Sequence, residues 1–175
     1  LRCATLSTDD LTAALQQAGI DPPNAEGLAT LAGGSAGDAV RLLRHDGLQL
    51  YGELIHMFDG LPNANRTAVL RLAESCAARG ADTHYGLTLD LIDQFIARAA
   101  RTGLFGVPSM QAAPNEARLL ARLSPNDHAA RAWAQLQQDL TGRVRHGRAV
   151  NLDPASLILD MIFKIEHVAR SVAAK

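Results

Sequence analysis

The chain has 175 residues, 47% of them apolar and only 4% aromatic, with a formal net charge of −1. That length accommodates one ordinary domain, or a small one beside a medium one, and the near-neutral balance excludes a global field that would steer the chain to nucleic acid or an anionic membrane. Alanine and leucine dominate while β-branched residues are few, which favours helices over strands, and no apolar run is long enough to span a bilayer.

In chain order, Leu6-Ser7-Thr8-Asp9-Asp10-Leu11 opens a helix. Ser7 is placed to cap it, Asp10 stands three residues on, and Leu6 and Leu11 occupy staple positions. Leu11, Ala14, Leu15 and Ala18 share one face, and Gly19 stops the helix. After the turn at 21–24 a short helix through Leu28 and Leu31 ends at Gly33-Gly34, and a third runs from Ser35 to about Arg44. His45-Asp46-Gly47 breaks the pattern, so residues 1–45 are expected to form a small three-helix unit and 46–175 a larger helical bundle.

In the second part, Leu48, Tyr51, Leu54, Ile55 and Phe58 keep helical spacing. The segment 59–63 is expected to end that helix and cap the next, which carries Val69, Leu72, Ala73 and Cys76 and stops at Gly80. A long helix is predicted over 82–101, then a loop over 103–114 with two prolines and no periodicity. Ser124-Pro125-Asn126-Asp127 reads as a serine cap followed by proline in the first turn. Asp153-Pro154 starts the last helix, whose apolar arc through Leu157, Ile158, Met161, Ile162 and Ile165 is wide enough to be buried on more than one side. The predicted class is all-α.

The segment Gly33-Gly34-Ser35-Ala36-Gly37-Asp38 carries the sharpest chemical question. A glycine-rich turn before a helix can cradle a phosphate, yet it can equally be a capped helix start. A Walker-type loop needs Lys followed by Ser or Thr after the glycines, and no such pair stands there. Asp38, three residues after the cap Ser35, completes a capping box and repels an anion at the helix end. The capped-helix reading is therefore preferred over a nucleotide hydrolase using Ser35–Gly37 and Arg41.

The six histidines show no i, i+4 zinc spacing, so no metal or cofactor is expected. Glu166-His167 suggests acid–base work, or, preferably, a cation in a helix C-terminal turn. Cys3 and Cys76 carry no paired spacing and read as free cytosolic thiols, Cys76 as a small core residue. The basic run holding Arg143, Arg145 and Arg148 could touch phosphates as an independent DNA-binding module. Without interleaved aromatics, and at a helix end, it reads better as a solvated, dipole-favoured terminus. No signal-peptide pattern opens the sequence, and its start at Leu1, without Met, is expected of a fragment.

Three stretches together resemble the C-terminal part of the delta-prime family of bacterial DNA polymerase III clamp-loader subunits. Arg2-Cys3 followed by Ala4-Thr5-Leu6-Ser7 resembles the end of the family's Ser-Arg-Cys motif, with Leu1 where the family has Ser. Gly34-Ser35-Ala36-Gly37-Asp38-Ala39-Val40-Arg41-Leu42-Leu43 resembles the helix start of the lid subdomain. Asn151 through His167 resembles the final collar helix with its Ile-Glu-His ending. The resemblance implies an AAA+ lid over 1–45 and, over 46–175, a collar domain that joins five subunits into a ring. It implies that the partners are the other clamp-loader subunits, that sliding clamp and primed DNA are met only through the whole complex, and that the location is cytoplasmic, without a membrane. It further implies that Arg2 is the arginine reaching a neighbour's nucleotide, a role suited to a fixed planar charge. ATP-hydrolysing relatives, the alternative assignment, carry a sensor arginine where this chain has Gly37, so the fragment itself is expected to be non-catalytic, within a polymerase complex that has nucleotidyltransferase and ATPase activity.

Overall fold

The computed structural model describes residues 5–174, which contain nine helices and no strand. The first three are short: α1 (Thr8–Gln17), α2 (Ala25–Ala32) and α3 (Ala36–Arg44). Ser7 caps α1 by accepting the Asp10 N–H at 3.1 Å, and its hydroxyl donates to the Asp10 carboxylate at 2.7 Å. Asn24 caps α2 through the Gly27 N–H. Gly33 ends α2 in the left-handed region, φ 56°, the conformation that a helix C-terminus most often gives to glycine.

The larger part comprises α4 (Gly47–Phe58), α5 (Arg66–Ala77), α6 (Asp82–Phe105), α7 (Glu116–Leu123), α8 (Asp127–Ala149) and α9 (Pro154–Ala173). The principal packings are α6 on α8, α5 on α9 and α8 on α9, with α5 also meeting α6; α4 and α7 lie across this four-helix frame. Phe58, Phe95 and Trp133 form an aromatic row at its centre, with ring centroids 4.5 Å and 6.2 Å apart. The Trp133 indole N–H donates to the Leu123 carbonyl at 2.8 Å, as a buried indole requires. Buried side chains run without interruption from Leu11 to Ala169, across the boundary expected at 45/46.

Four local expectations are corrected. Gly103 lies inside α6, which continues to Phe105, so only 106–115 is irregular. The helix α7 falls in a stretch with no predicted element; it starts at Asn115, which has φ 65° and makes no side-chain cap bond. Ser124 closes α7 instead of capping α8, with its N–H on Leu120 O. Pro125 drives its predecessor out of the helical region, and Asn126 takes the cap through the Ala129 N–H at 3.0 Å. Likewise Asn65, not the 59–63 segment, caps α5 through the Ala68 N–H. The start of α9 agrees with expectation: Asp153 accepts the Ser156 N–H at 2.8 Å and Pro154 occupies the first turn.

Candidate functional site

The start of α3 is built by close backbone approach. Gly34 has φ 79°, and a Cβ there would lie 2.7 Å from Leu6 O and 2.8 Å from Leu6 N. The Leu6 N–H donates to Gly34 O at 3.0 Å. This glycine therefore lets the strap before α1 pass over the α2–α3 turn, a use that accounts for it without a phosphate. Ser35 accepts the Asp38 N–H at 3.2 Å. The box is half made: the Ser35 N–H bonds Ala32 O, and the Asp38 carboxylate turns to Arg41 at 3.7 Å. Arg41 reaches on to Asp90 of α6 at 2.8 Å, tying α3 to the bundle rather than pointing at the helix terminus. Gly37 is exposed in the first turn, and a Cβ there would meet only Ser35 Oγ, at 3.9 Å. Arg2 and Cys3 lie outside the described residues.

The three arginines of α8 do not form one surface. Arg143 pairs with Asp160 of α9. Arg148 lies over the Tyr85 ring, 5.8 Å from its centroid. Arg145 and Arg148 both line a hollow of about 400 Å³ whose other wall carries Asp90 and Asp93. Helical steps of 100° turn Arg143 away from Arg145 and Arg148, which are neighbours three residues apart, and the aspartates opposite those two would repel a phosphate backbone. Asp93 is itself pushed above the usual carboxylate range by burial, a shift opposed by its hydrogen bond from Gln137.

Glu166 is not poised for acid–base work. It is buried, and it accepts the Ala64 N–H at 3.0 Å and pairs with Arg66 at 3.1 Å. It thereby fixes the α4–α5 connection onto α9. His167 is exposed and precedes the helix end by more than a turn; the basic residue in the last turn is Arg170. Cys76 is buried as expected, and burial raises its thiol.

Two arrangements escaped the sequence. Glu116, wholly buried, accepts from Tyr51 Oη at 2.6 Å, from Arg98 Nε at 2.6 Å and from the Ala112 N–H at 2.7 Å, while Arg98 also donates to Met110 O. Burial first, then the Glu116 charge, raises the Tyr51 phenol well above its ordinary range. These residues lie 65 positions apart in the chain, and an acid at the start of an eight-residue helix gives no local sign of burial. Ser75 Oγ lies 3.1 Å from His84 Nε2 beside a hollow of about 640 Å³ between α4, α5 and α6. The Ser75 hydroxyl donates to Leu72 O at 2.8 Å. The hydroxyl thus has two acceptors within reach, Leu72 O and His84 Nε2, and the role of the ring nitrogen follows its tautomer.

No group of three or more His, Cys, Asp or Glu side chains suited to a metal occurs among the described residues. No described helix is long and apolar enough to cross a membrane. No protein-family model, curated protein or solved structure matches the chain.

Proposed function

We propose that the chain is the lid-and-collar portion of a clamp-loader subunit of the delta-prime type, non-catalytic in itself, which helps assemble the ring that places a sliding clamp on primed DNA. The observation that carries the reading is the order and spacing of three stretches along one chain: Arg2-Cys3, the Gly34–Leu43 helix start and the 151–167 helix. A small helical unit followed by a larger bundle accords with it. So does Gly37: the position where hydrolysing relatives carry a sensing arginine has no side chain, and the turn holding it is organised by Ser35, Asp38 and Arg41. A cytoplasmic location belongs to the same reading.

Affinity capture with the collar domains of the other subunits tests it. Association is expected at micromolar concentration, and failure to associate with any of them removes the proposal. The hydrolase alternative calls for nucleotide affinity well below millimolar, and the proposal expects none. An independent DNA-binding module would show salt-dependent binding abolished by Ala at Arg143, Arg145 and Arg148; two of those arginines are already engaged within the fold.

A further inference from the structure

The end of α6 and the loop after it expose Leu104, Phe105, Val107 and Met110, Phe105 by 82%. Single apolar side chains on a surface are ordinary, whereas four within one short segment mark an interaction site. The segment is tied at both ends: the Gly106 N–H donates to Thr102 O at 2.8 Å, Arg98 Nη2 donates to Met110 O at 3.0 Å, and Glu116 takes the Ala112 N–H. An apolar knob ordered in advance gives up little conformational freedom when it docks. Arg101, one turn before Phe105, is exposed and has no ion-pair partner among the described residues.

Near the other end of α6, His84 borders the hollow of about 640 Å³ whose apolar lining includes Leu50, Leu54, Met57 and Leu72. Glu53 and Arg71 both line it and are exposed; Glu53 is bonded to Gln49 and makes no ion pair with Arg71 or any other described residue. The volume falls in the range of ligand-sized clefts and exceeds what one phenyl ring needs. With a rise of about 1.5 Å per residue, His84 and Phe105 are separated by roughly 30 Å of helix. The knob therefore cannot reach its own hollow.

We infer that the occupant of this hollow is a second copy of the chain. The 104–110 knob of one copy seats between α4, α5 and α6 of the next, with Phe105 in the hollow and Arg101 toward Glu53. The two contact faces differ, so the association is heterologous and runs head to tail or closes into a ring. It does not rest on the clamp-loader reading. One short segment seated in one hollow makes an interface at the small, weakly associating end of the range.

Sedimentation equilibrium on the whole chain and two variants tests it. Phe105→Asp removes the knob. Gly52→Arg fills the hollow and sets a cation where Arg101 would arrive; a Cβ at Gly52 meets nothing within 4 Å, so α4 tolerates it. The parent is expected to associate with rising concentration and each variant alone to remain monomeric. An equimolar mixture of the two variants is expected to form a dimer and nothing larger, because the intact knob of one meets the intact hollow of the other. A second pair tests the charges: Glu53→Arg is expected to weaken association about fivefold, and adding Arg101→Glu to restore it. A parent that stays monomeric to about 1 mM, where even an association worth only about 4 kcal/mol is populated, overturns the inference. So does a variant mixture that stays monomeric, or a Gly52→Arg chain that associates like the parent, which indicates a symmetric knob-to-knob contact.

Discussion

A buried carboxylate with three donors gives Glu116 more influence than its position at the head of a short helix suggests. Its partner Arg98 has a side chain only 17% exposed, so removing Glu116 strands a guanidinium, a phenol and a backbone N–H away from water. Breaking a buried pair from one side costs about 3–5 kcal/mol, and Glu116→Ala is expected to fall in that range by urea denaturation. Tyr51→Phe deletes one hydrogen bond to a charged acceptor and is expected to cost about 1.5–3 kcal/mol. Equal losses for the two variants would mean that Arg98 and Ala112 find other partners. Asp93 makes the opposite case. Burial raises its carboxyl, so the folded chain holds the proton to a higher pH than the unfolded chain, whose Asp titrates near about 3.9. Stability from this group is therefore undiminished below about pH 4 and is lost as pH rises through the folded value. Asp93→Asn should narrow that loss: its urea midpoint relative to the parent is expected to rise between about pH 4 and pH 7. A constant difference would show that Asp93 titrates alike in both states.

Among the elements, the joint between the end of α6 and the start of α8 is the least tolerant. A Cβ on Gly103 would lie 2.5 Å from Asn126 O, 2.7 Å from Ser124 Oγ and 2.9 Å from Ala130 Cβ. Gly103→Ala is expected to destabilise by about 1–3 kcal/mol through overpacking. Gly52→Ala, also mid-helix but facing open space, is expected to stabilise by up to about 1 kcal/mol from helix propensity. Thermal melts of the two variants should move in opposite directions, and a shared direction would refute the packing account. The same joint shows what a local sequence pattern does not encode. Helical periodicity located the stripes of α4, α6, α8 and α9, because burial on one face repeats with the helix. At Gly103 a glycine suggests a loop, whereas its missing side chain serves helix-on-helix contact. At Ser124 a capping signature was present, but the proline after it shifted the cap to Asn126. In the candidate site, the Ser35 cap was legible as a local pattern. The Arg41–Asp90 and Tyr51–Glu116 pairs join residues 49 and 65 positions apart, and no local pattern encodes them.

On the scale of the whole molecule, the question is whether α1–α3 and the bundle behave as one cooperative unit. The first three helices bury few large side chains, chiefly Leu11, Leu15, Leu28, Leu31 and Leu42, and a segment of about 40 residues rarely sustains a core alone. They borrow stability from the bundle at three places. Leu42 lies over Gly47, where a Cβ would come within 2.5 Å of its methyl group; Gly27 faces the Ala112 carbonyl; and Arg41 bridges to Asp90. The bundle, by contrast, holds the aromatic row and most of the buried aliphatic side chains. The amides of α1–α3 are therefore expected to exchange through a partial opening of lower free energy than global unfolding, and those around Trp133 only through global unfolding. Arg41 and Asp90 are each more than a third exposed, so their pair contributes no more than an exposed bridge does. Asp90→Ala should speed exchange in α1–α3 by roughly two- to fivefold and leave α8 unchanged. Equal acceleration in α8 would mean that the continuous core makes α1–α3 and the bundle open together, and that residues 5–45 have no separate unfolding step.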